Sequence, residues 1–235
     1  MVEVIVAFDL ASGREALDLA QRLPGLRWAK LGPVLFVREG PALVREFAAR
    51  GIRVFLDLKW HDIPSTVAGA VAAARDLGAA MATVHCLGGE RMLAAAREEA
   101  GDLALVGVTV LTSHDPPELE RVLGRGVPDL GLEVGRLARM GLAAGLRGVV
   151  ASGHELPLLR GLWSSPSLIP RPASAPDPWI IVPGVRLPGE GRDDQARVVS
   201  PVEAVQRGAT HLVLGRTITQ AADPAAAFAR VMGLV

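Results

Sequence analysis

Residues 53–78 read RVFLDLKWHDIPSTVAGAVAAARDLG. The first seven, RVFLDLK, are rich in β-forming apolar residues. From Ser65 onward, apolar residues recur at the three- and four-residue intervals of a helix face. One strand followed by one helix is therefore written into this stretch. Within residues 55–67, FLDLKWHDIPSTV, three charges, Asp57, Lys59 and Asp62, interrupt residues that otherwise belong in a protein interior. Along a strand, residues two apart share a face, so Asp57 and Lys59 point the same way while Val54, Leu56 and Leu58 point the other.

The same unit recurs along the chain. EVIVAFD (3–9), RWAKLG (27–32), RVFLDLK (53–59), MATVHC (81–86), LALVGVTVL (103–111), RGVVAS (147–152), WIIVPG (179–184) and HLVLG (211–215) make eight apolar, β-rich runs. Between them lie segments such as GREALDLAQRL, PALVREFAAR, ERMLAAAREEA, LEVGRLARMGLAAG and DPAAAFARVMG, with helical spacing. Eight strand–helix units predict an α/β chain folded as a single (β/α)8 TIM barrel over residues 1–235; a doubly wound open sheet gives the same alternation and is the alternative. The one break in composition, WSSPSLIPRPASAPDP (163–178), reads as a surface connection before the seventh strand, because too little chain follows it for a second domain.

The chain has 235 residues, half of them apolar, enough to bury a large core. Its formal net charge is zero and its basic residues are scattered, so the positive face of a nucleic-acid binder is missing. The opening MVEVIVAFDLASGRE has neither a basic flank nor an apolar run long enough to span a bilayer, and reads as untargeted, without membrane contact. A single cysteine, Cys86, excludes an internal disulfide and suits a reducing compartment, the cytoplasm. Of the 25 basic residues only Lys30 and Lys59 are lysine; the others are arginine. Arginine keeps its proton at any working pH, whereas lysine is a compact charge able to give one up. Bias toward arginine explains the scarcity of lysine, but not where the two remaining lysines stand.

In a barrel of this kind the site lies at the C-terminal ends of the strands. Asp9 ends the first strand, Lys30 nearly ends the second, Asp57 and Lys59 end the third, His85 the fourth, and Thr109 and Thr112 the fifth. Lys30, Asp57, Lys59 and Asp62 are expected to converge as an alternating array that keeps every group ionised and fixed. The structural alternative is a salt-bridge network at the barrel mouth. Late in the chain, PGVR (183–186), DDQ (193–195) and LGRTIT (214–219) offer glycine-bearing turns and an Arg216 fork, in the loops where such barrels bind phosphate. His61, His85, His114, His154 and His211 lack the helical spacing of a zinc pair, and His211 opens a strand at the end away from the site. A divalent metal on Asp9, Asp57, Asp62 and His85 would compete with two lysines that already supply positive charge, so no metal is expected.

These residues resemble a known family, orotidine 5′-phosphate decarboxylase, through nearly the whole chain. FLDLKWHDIPSTV is similar to that family's D-x-K-x-x-D-I-P-x-T signature. AFD, AKLG, VTVLTS, GVVAS, VPGVR, DDQARVVSP and LGRTIT resemble its other blocks in order. Asp-x-Lys-x-x-Asp alone also occurs in related sugar-phosphate barrels; Ile63-Pro64-x-Thr66 favours the orotidylate branch. The resemblance implies a barrel homodimer that converts orotidine 5′-monophosphate to uridine 5′-monophosphate and carbon dioxide without a cofactor, the last step of uridylate biosynthesis.

Carried over residue by residue, Lys59 is the proton donor to C6 of the pyrimidine and Asp57 lies against the leaving carboxylate. Lys30 and Asp9 contact the ribose, and Asp62 and Thr66 reach the neighbouring subunit's site. Thr112 and Ser113 match the base block; Pro183, Arg186, Gln195, Gly215 and Arg216 match the phosphate grip, with Gln195 on a loop that closes over the ligand. Val110 departs from the glutamine usual in the bacterial block, Val185 replaces isoleucine, and the stretch 163–178 is longer than is typical. The rivals are a metal-dependent phosphosugar decarboxylase or aldolase on the same barrel, and a nucleotide-binding protein without turnover.

Overall fold

A computed structural model describes residues 2–165, 176–189 and 197–235. Eight parallel strands close into a barrel in chain order: β1 (Glu3–Ala7), β2 (Trp28–Leu31), β3 (Arg53–Trp60), β4 (Met81–His85), β5 (Ala104–Val108), β6 (Gly148–Val150), β7 (Trp179–Val182) and β8 (His211–Leu214), with β8 pairing back onto β1. The eight runs read from the sequence are these strands, and the open-sheet alternative is set aside by the closure. Around them lie α1 (Gly13–Gln21), α2 (Pro33–Glu39), α3 (Pro41–Ala49), α4 (Pro64–Asp76), α5 (Gly89–Glu99), α6 (Pro116–Leu123), α7 (Leu130–Ala143), α8 (Leu156–Trp163), α9 (Pro201–Gln206), α10 (Arg216–Thr219) and α11 (Pro224–Met232). None of these described helices is long and apolar enough to cross a membrane.

Helix starts follow local chemistry. Ser12, Asp115, Asp129, Ser200 and Asp223 each accept a backbone N–H of the first turn, and Ser200 with Glu203 forms a reciprocal capping box. The connection expected over 163–178 begins later than the composition suggests. Trp163 is the last residue of α8 and is buried, because its ring completes that helix's apolar face. Residues 166–175 of that stretch lie outside the described residues.

Strand alternation divides the core into two layers. Outward-facing Val4, Val6, Val54, Leu56, Ala82 and Val84 pack under the helices. Inward-facing Ile5, Ala7, Trp28, Phe55, Met81, Val106, Ile181 and Val213 fill the barrel. At its N-terminal end, Trp28, Trp179 and His211 form an aromatic plug, with the Arg53 guanidinium 4.2 Å above Trp28 and Arg147 4.5 Å above Trp179. Burial, with those two arginines nearby, pushes the His211 ring down to about 4, so it sits neutral in the plug. His211 is structural, as its place at the start of a strand suggests. The opposite end, where the strands terminate, is left open.

Candidate active site

A cavity of about 520 Å3 occupies that open end. Its floor is the top of the inner layer, Ala7, Phe55, Val108, Val150, Ile181 and Val213. Asp9, Lys30, Asp57 and Lys59 form one wall. Asp57 is buried, and its Oδ2 takes both ammonium groups, Lys59 Nζ at 2.9 Å and Lys30 Nζ at 3.5 Å. Lys30 also pairs with Asp9 at 3.3 Å. The charges therefore alternate Asp9, Lys30, Asp57, Lys59. Burial alone would raise the Asp57 carboxyl pKa; the charges of Lys30 and Lys59, with hydrogen bonds from Lys59 and Thr83, outweigh it and hold the carboxyl below its ordinary value. Asp57 is thus an anion at neutral pH, and Lys59 is held beside it.

β3 is irregular where the pair stands. β3 and β4 are in register at Phe55↔Met81 and Leu56↔Ala82 and again at Trp60↔Val84, so Asp57, Leu58 and Lys59 stand opposite Thr83 alone. Lys59 has φ 51°, a positive value found at no other non-glycine residue among those described. Its N–H donates to Thr83 Oγ1 at 2.8 Å, and that hydroxyl donates to Asp57 Oδ1 at 3.1 Å. Gly32 also matters here, since a Cβ there would stand 2.9 Å from Asp9 Oδ1 and 3.3 Å from Lys30 Nζ. A side chain there would crowd the Asp9 carboxylate where it meets Lys30.

Across the cavity, Pro183, Gly184, Arg186, Gly215 and Arg216 bring two guanidinium groups to the mouths of β7 and β8. Gly184 has φ 70°, a turn that a side chain would strain. Val185 bridges Val199 in a short parallel contact that fixes this turn. A third wall carries Val110, Leu111, Thr112 and Ser113 from the loop after β5, with Ala151 after β6. One cationic pole, one alternating charged wall and an apolar floor suit a ligand with a phosphate at one end and a flat ring carrying a negative group at the other.

A family model for "Orotidine 5′-phosphate decarboxylase / HUMPS family" matches residues 3–231. The chain belongs to that family. It is 46% identical over 233 residues to an orotidine 5′-phosphate decarboxylase of Alkalilimnicola ehrlichii, spanning 97% of this chain and 94% of that one. It is 45% identical to the one of Halorhodospira halophila, over 97% and 93% of the two chains. Among solved structures, the orotidine 5′-phosphate decarboxylase of Lactobacillus acidophilus superposes with a TM-score of 0.83 at 30% identity, covering 100% of this chain and 99% of that one.

Of the residues matched to the family's motifs, Asp9, Lys30, Asp57, Lys59, Thr112, Ser113, Pro183, Arg186, Gly215 and Arg216 all line the cavity. Asp62 does not join the array within one chain: its carboxylate is exposed and accepts the Ile63 N–H at 2.6 Å, because the turn into α4 carries it away from the barrel axis. Thr66, in the first turn of α4, is likewise outside the lining. Gln195 lies outside the described residues. Thr109, expected at the mouth, is buried and donates to the Val150 carbonyl at 3.0 Å instead.

His85 stacks on His61, ring centroids 5.4 Å apart, and its Nδ1 accepts the Leu87 N–H. Burial first, then His61, Lys59 and His114, hold its pKa at about 4. Of the four residues weighed as a metal set, Asp9 and Asp57 both pair with Lys30 while Asp62 is turned away, and among the described residues no three His, Cys, Asp or Glu side chains converge as a metal site. Two residues that shape the site escaped the sequence reading. Thr83 carried a readable signal, a polar residue at an inward position of MATVH; Gly32 carried none beyond standing two residues after Lys30.

Proposed function

We propose that the cavity is the site at which this chain decarboxylates orotidine 5′-monophosphate to uridine 5′-monophosphate and carbon dioxide, in pyrimidine biosynthesis. The chain is a carboxy-lyase by family and by its relatives. The observation that carries the assignment of roles is the Asp57–Lys59 contact of 2.9 Å inside a cavity with a cationic pole opposite. The C6–carboxylate bond breaks, carbon dioxide leaves, and its bonding pair stays on C6, where the pyrimidine ring cannot delocalise it. That charge has to be met electrostatically and then quenched. The Lys59 ammonium does both: it faces the developing carbanion and gives C6 its proton, and the lysine is recharged from water. Asp57 lies against the leaving carboxylate and keeps the Lys59 ammonium aimed.

In this reading Lys30 and Asp9 hold the ribose, and Thr112 and Ser113 hold the base. Pro183, Arg186, Gln195, Gly215 and Arg216 grip the phosphate. No cofactor enters, since electrostatics and one proton transfer account for the whole step. Because Val110 presents no polar group, base recognition rests on the neighbouring Thr112 and Ser113. Asp62 and Thr66, exposed and beyond their own cavity, act in the site of a second copy in a homodimer; exposed Ile63 beside them supports burial there. The lone buried cysteine is in keeping with a cytoplasmic enzyme.

The orotate-ring absorbance of orotidine 5′-monophosphate, followed with and without a chelator, tests the function. Chelator-insensitive loss of absorbance supports it. Activity that a chelator abolishes would point to the metal-dependent phosphosugar enzymes instead, and tight product binding without turnover to a nucleotide-binding protein.

A further inference from the structure

Thr83 sits at an inward position of β4, two residues above Met81 of the barrel filling, and is fully buried. A buried hydroxyl must find partners, and the cheapest lie on its own or the paired backbone. Thr83 has one of each kind, the backbone N–H of Lys59 on the paired β3 and the carboxylate of Asp57, and both lie in the β3 bulge. It accepts the Lys59 N–H at 2.8 Å and donates to Asp57 Oδ1 at 3.1 Å. The Lys59 N–H, turned out of the sheet ladder by its positive φ, has this one acceptor. Asp57 Oδ2 is taken by the two ammonium groups, so Thr83 fixes the oxygen that remains.

We propose that Thr83 is a positioning residue for the decarboxylation: its hydroxyl holds the Lys59 backbone in the bulge and the Asp57 carboxylate in plane, so that the ammonium and carboxylate meet the substrate at fixed positions. The inference rests on the function given above. Thr83 touches no substrate-lining space, so its influence runs through the two residues it binds. A left-handed lysine is strained, and strain persists only where surrounding bonds hold it. Without the hydroxyl, Lys59 relaxes toward an ordinary strand conformation, Nζ moves off the position of C6, and Asp57 is free to rotate. The phosphate and base grips stand on β5, β7 and β8 and are untouched.

Thr83→Val keeps the branched shape and removes both hydrogen bonds; Thr83→Ser restores the hydroxyl. In Thr83→Val, kcat is expected to fall by roughly 10- to 100-fold, the kinetic equivalent of one or two buried hydrogen bonds, while uridine 5′-monophosphate binds within about threefold of wild type. Thr83→Ser is expected to recover most of that kcat. The Asp57 carboxyl, followed by carbon-13 NMR without ligand, should titrate higher in Thr83→Val than in wild type and return in Thr83→Ser. Wild-type kcat in Thr83→Val, or a serine variant as impaired as the valine one, overturns the inference. Thr83→Ala serves if the valine variant does not fold; failure of both to fold while serine folds assigns Thr83 to stability and also overturns it. If wild type itself does not consume orotidine 5′-monophosphate, the function fails, and the Asp57 titration still decides the role of Thr83.

Discussion

Replacing Arg197 by methionine should damage the protein in a way that acid relieves. Arg197 and Glu155 form an ion pair with side chains only 13% and 7% exposed, and Arg197 Nη2 also donates to the Leu111 carbonyl at 3.1 Å. These contacts join three loops at the barrel mouth: the segment after residue 196, the turn before α8 and the loop after β5 that carries Thr112 and Ser113. Burial pushes the Glu155 carboxyl pKa up, with the Arg197 charge opposing it. Removing one partner of such a pair leaves a buried charge uncompensated, at a cost of about 3–5 kcal/mol. In Arg197→Met the carboxyl escapes part of that cost by taking a proton. Its folded pKa then lies further above the unfolded value, so stability is retained at low pH and lost as pH rises through the folded pKa. Urea unfolding should therefore show the full penalty near neutrality and a smaller one near pH 5, set against wild type at each pH. The double variant Arg197→Met with Glu155→Leu should cost less than the sum of the two single changes, because no charge is stranded. Freed from Arg197, the Leu111–Ser113 wall loosens, and kcat/KM should drop by about tenfold, a loss of roughly 1.4 kcal/mol in transition-state stabilisation. A single-variant penalty below about 1 kcal/mol that does not change with pH would mean that the pair is worth no more than an exposed one and strands no buried charge.

With Arg216 in the proposed phosphate grip, Arg216→Ala should cost several kcal/mol of the transition-state stabilisation that kcat/KM reports, because binding energy from a remote phosphate would be used to order the reacting groups. A substrate lacking the phosphate should react poorly with wild type and lose little more on the same change; equal losses for both substrates would make Arg216 a support of the barrel mouth. To test the proposed homodimer, mixing inactive Lys59→Ala with inactive Asp62→Ala protein should restore turnover, since a hybrid dimer with shared sites would hold one site with both residues intact. No recovery after confirmed subunit exchange would confine Asp62 to its own chain.

What the sequence made legible divides along physical lines. All eight strands could be read because each is a short apolar run bounded by polar residues or glycine, and the inward aim of Asp57 and Lys59 followed from strand period. That period could not reveal that three residues of β3 oppose Thr83, because a bulge depends on what the partner strand offers. The expectation that Asp62 joins the array failed within one chain for a different reason. It extended the strand direction past Trp60, where the backbone turns into α4. Asp9 was found from its place at a strand end, but Gly32, which leaves it room beside Lys30, has no chemistry of its own to mark it. Glu155 and Arg197 lie 42 residues apart, and nothing in either neighbourhood signals the other.

In the proposed mechanism the Lys59 ammonium, fixed by Asp57, supplies the proton to C6. Lys59→Arg tests it most directly, because the positive charge stays while the transferable proton is lost to a guanidinium that does not release it. Turnover of orotidine 5′-monophosphate by that variant, measured beside its affinity for uridine 5′-monophosphate, should be abolished while product binding stays largely intact. Substantial turnover by Lys59→Arg would contradict the account.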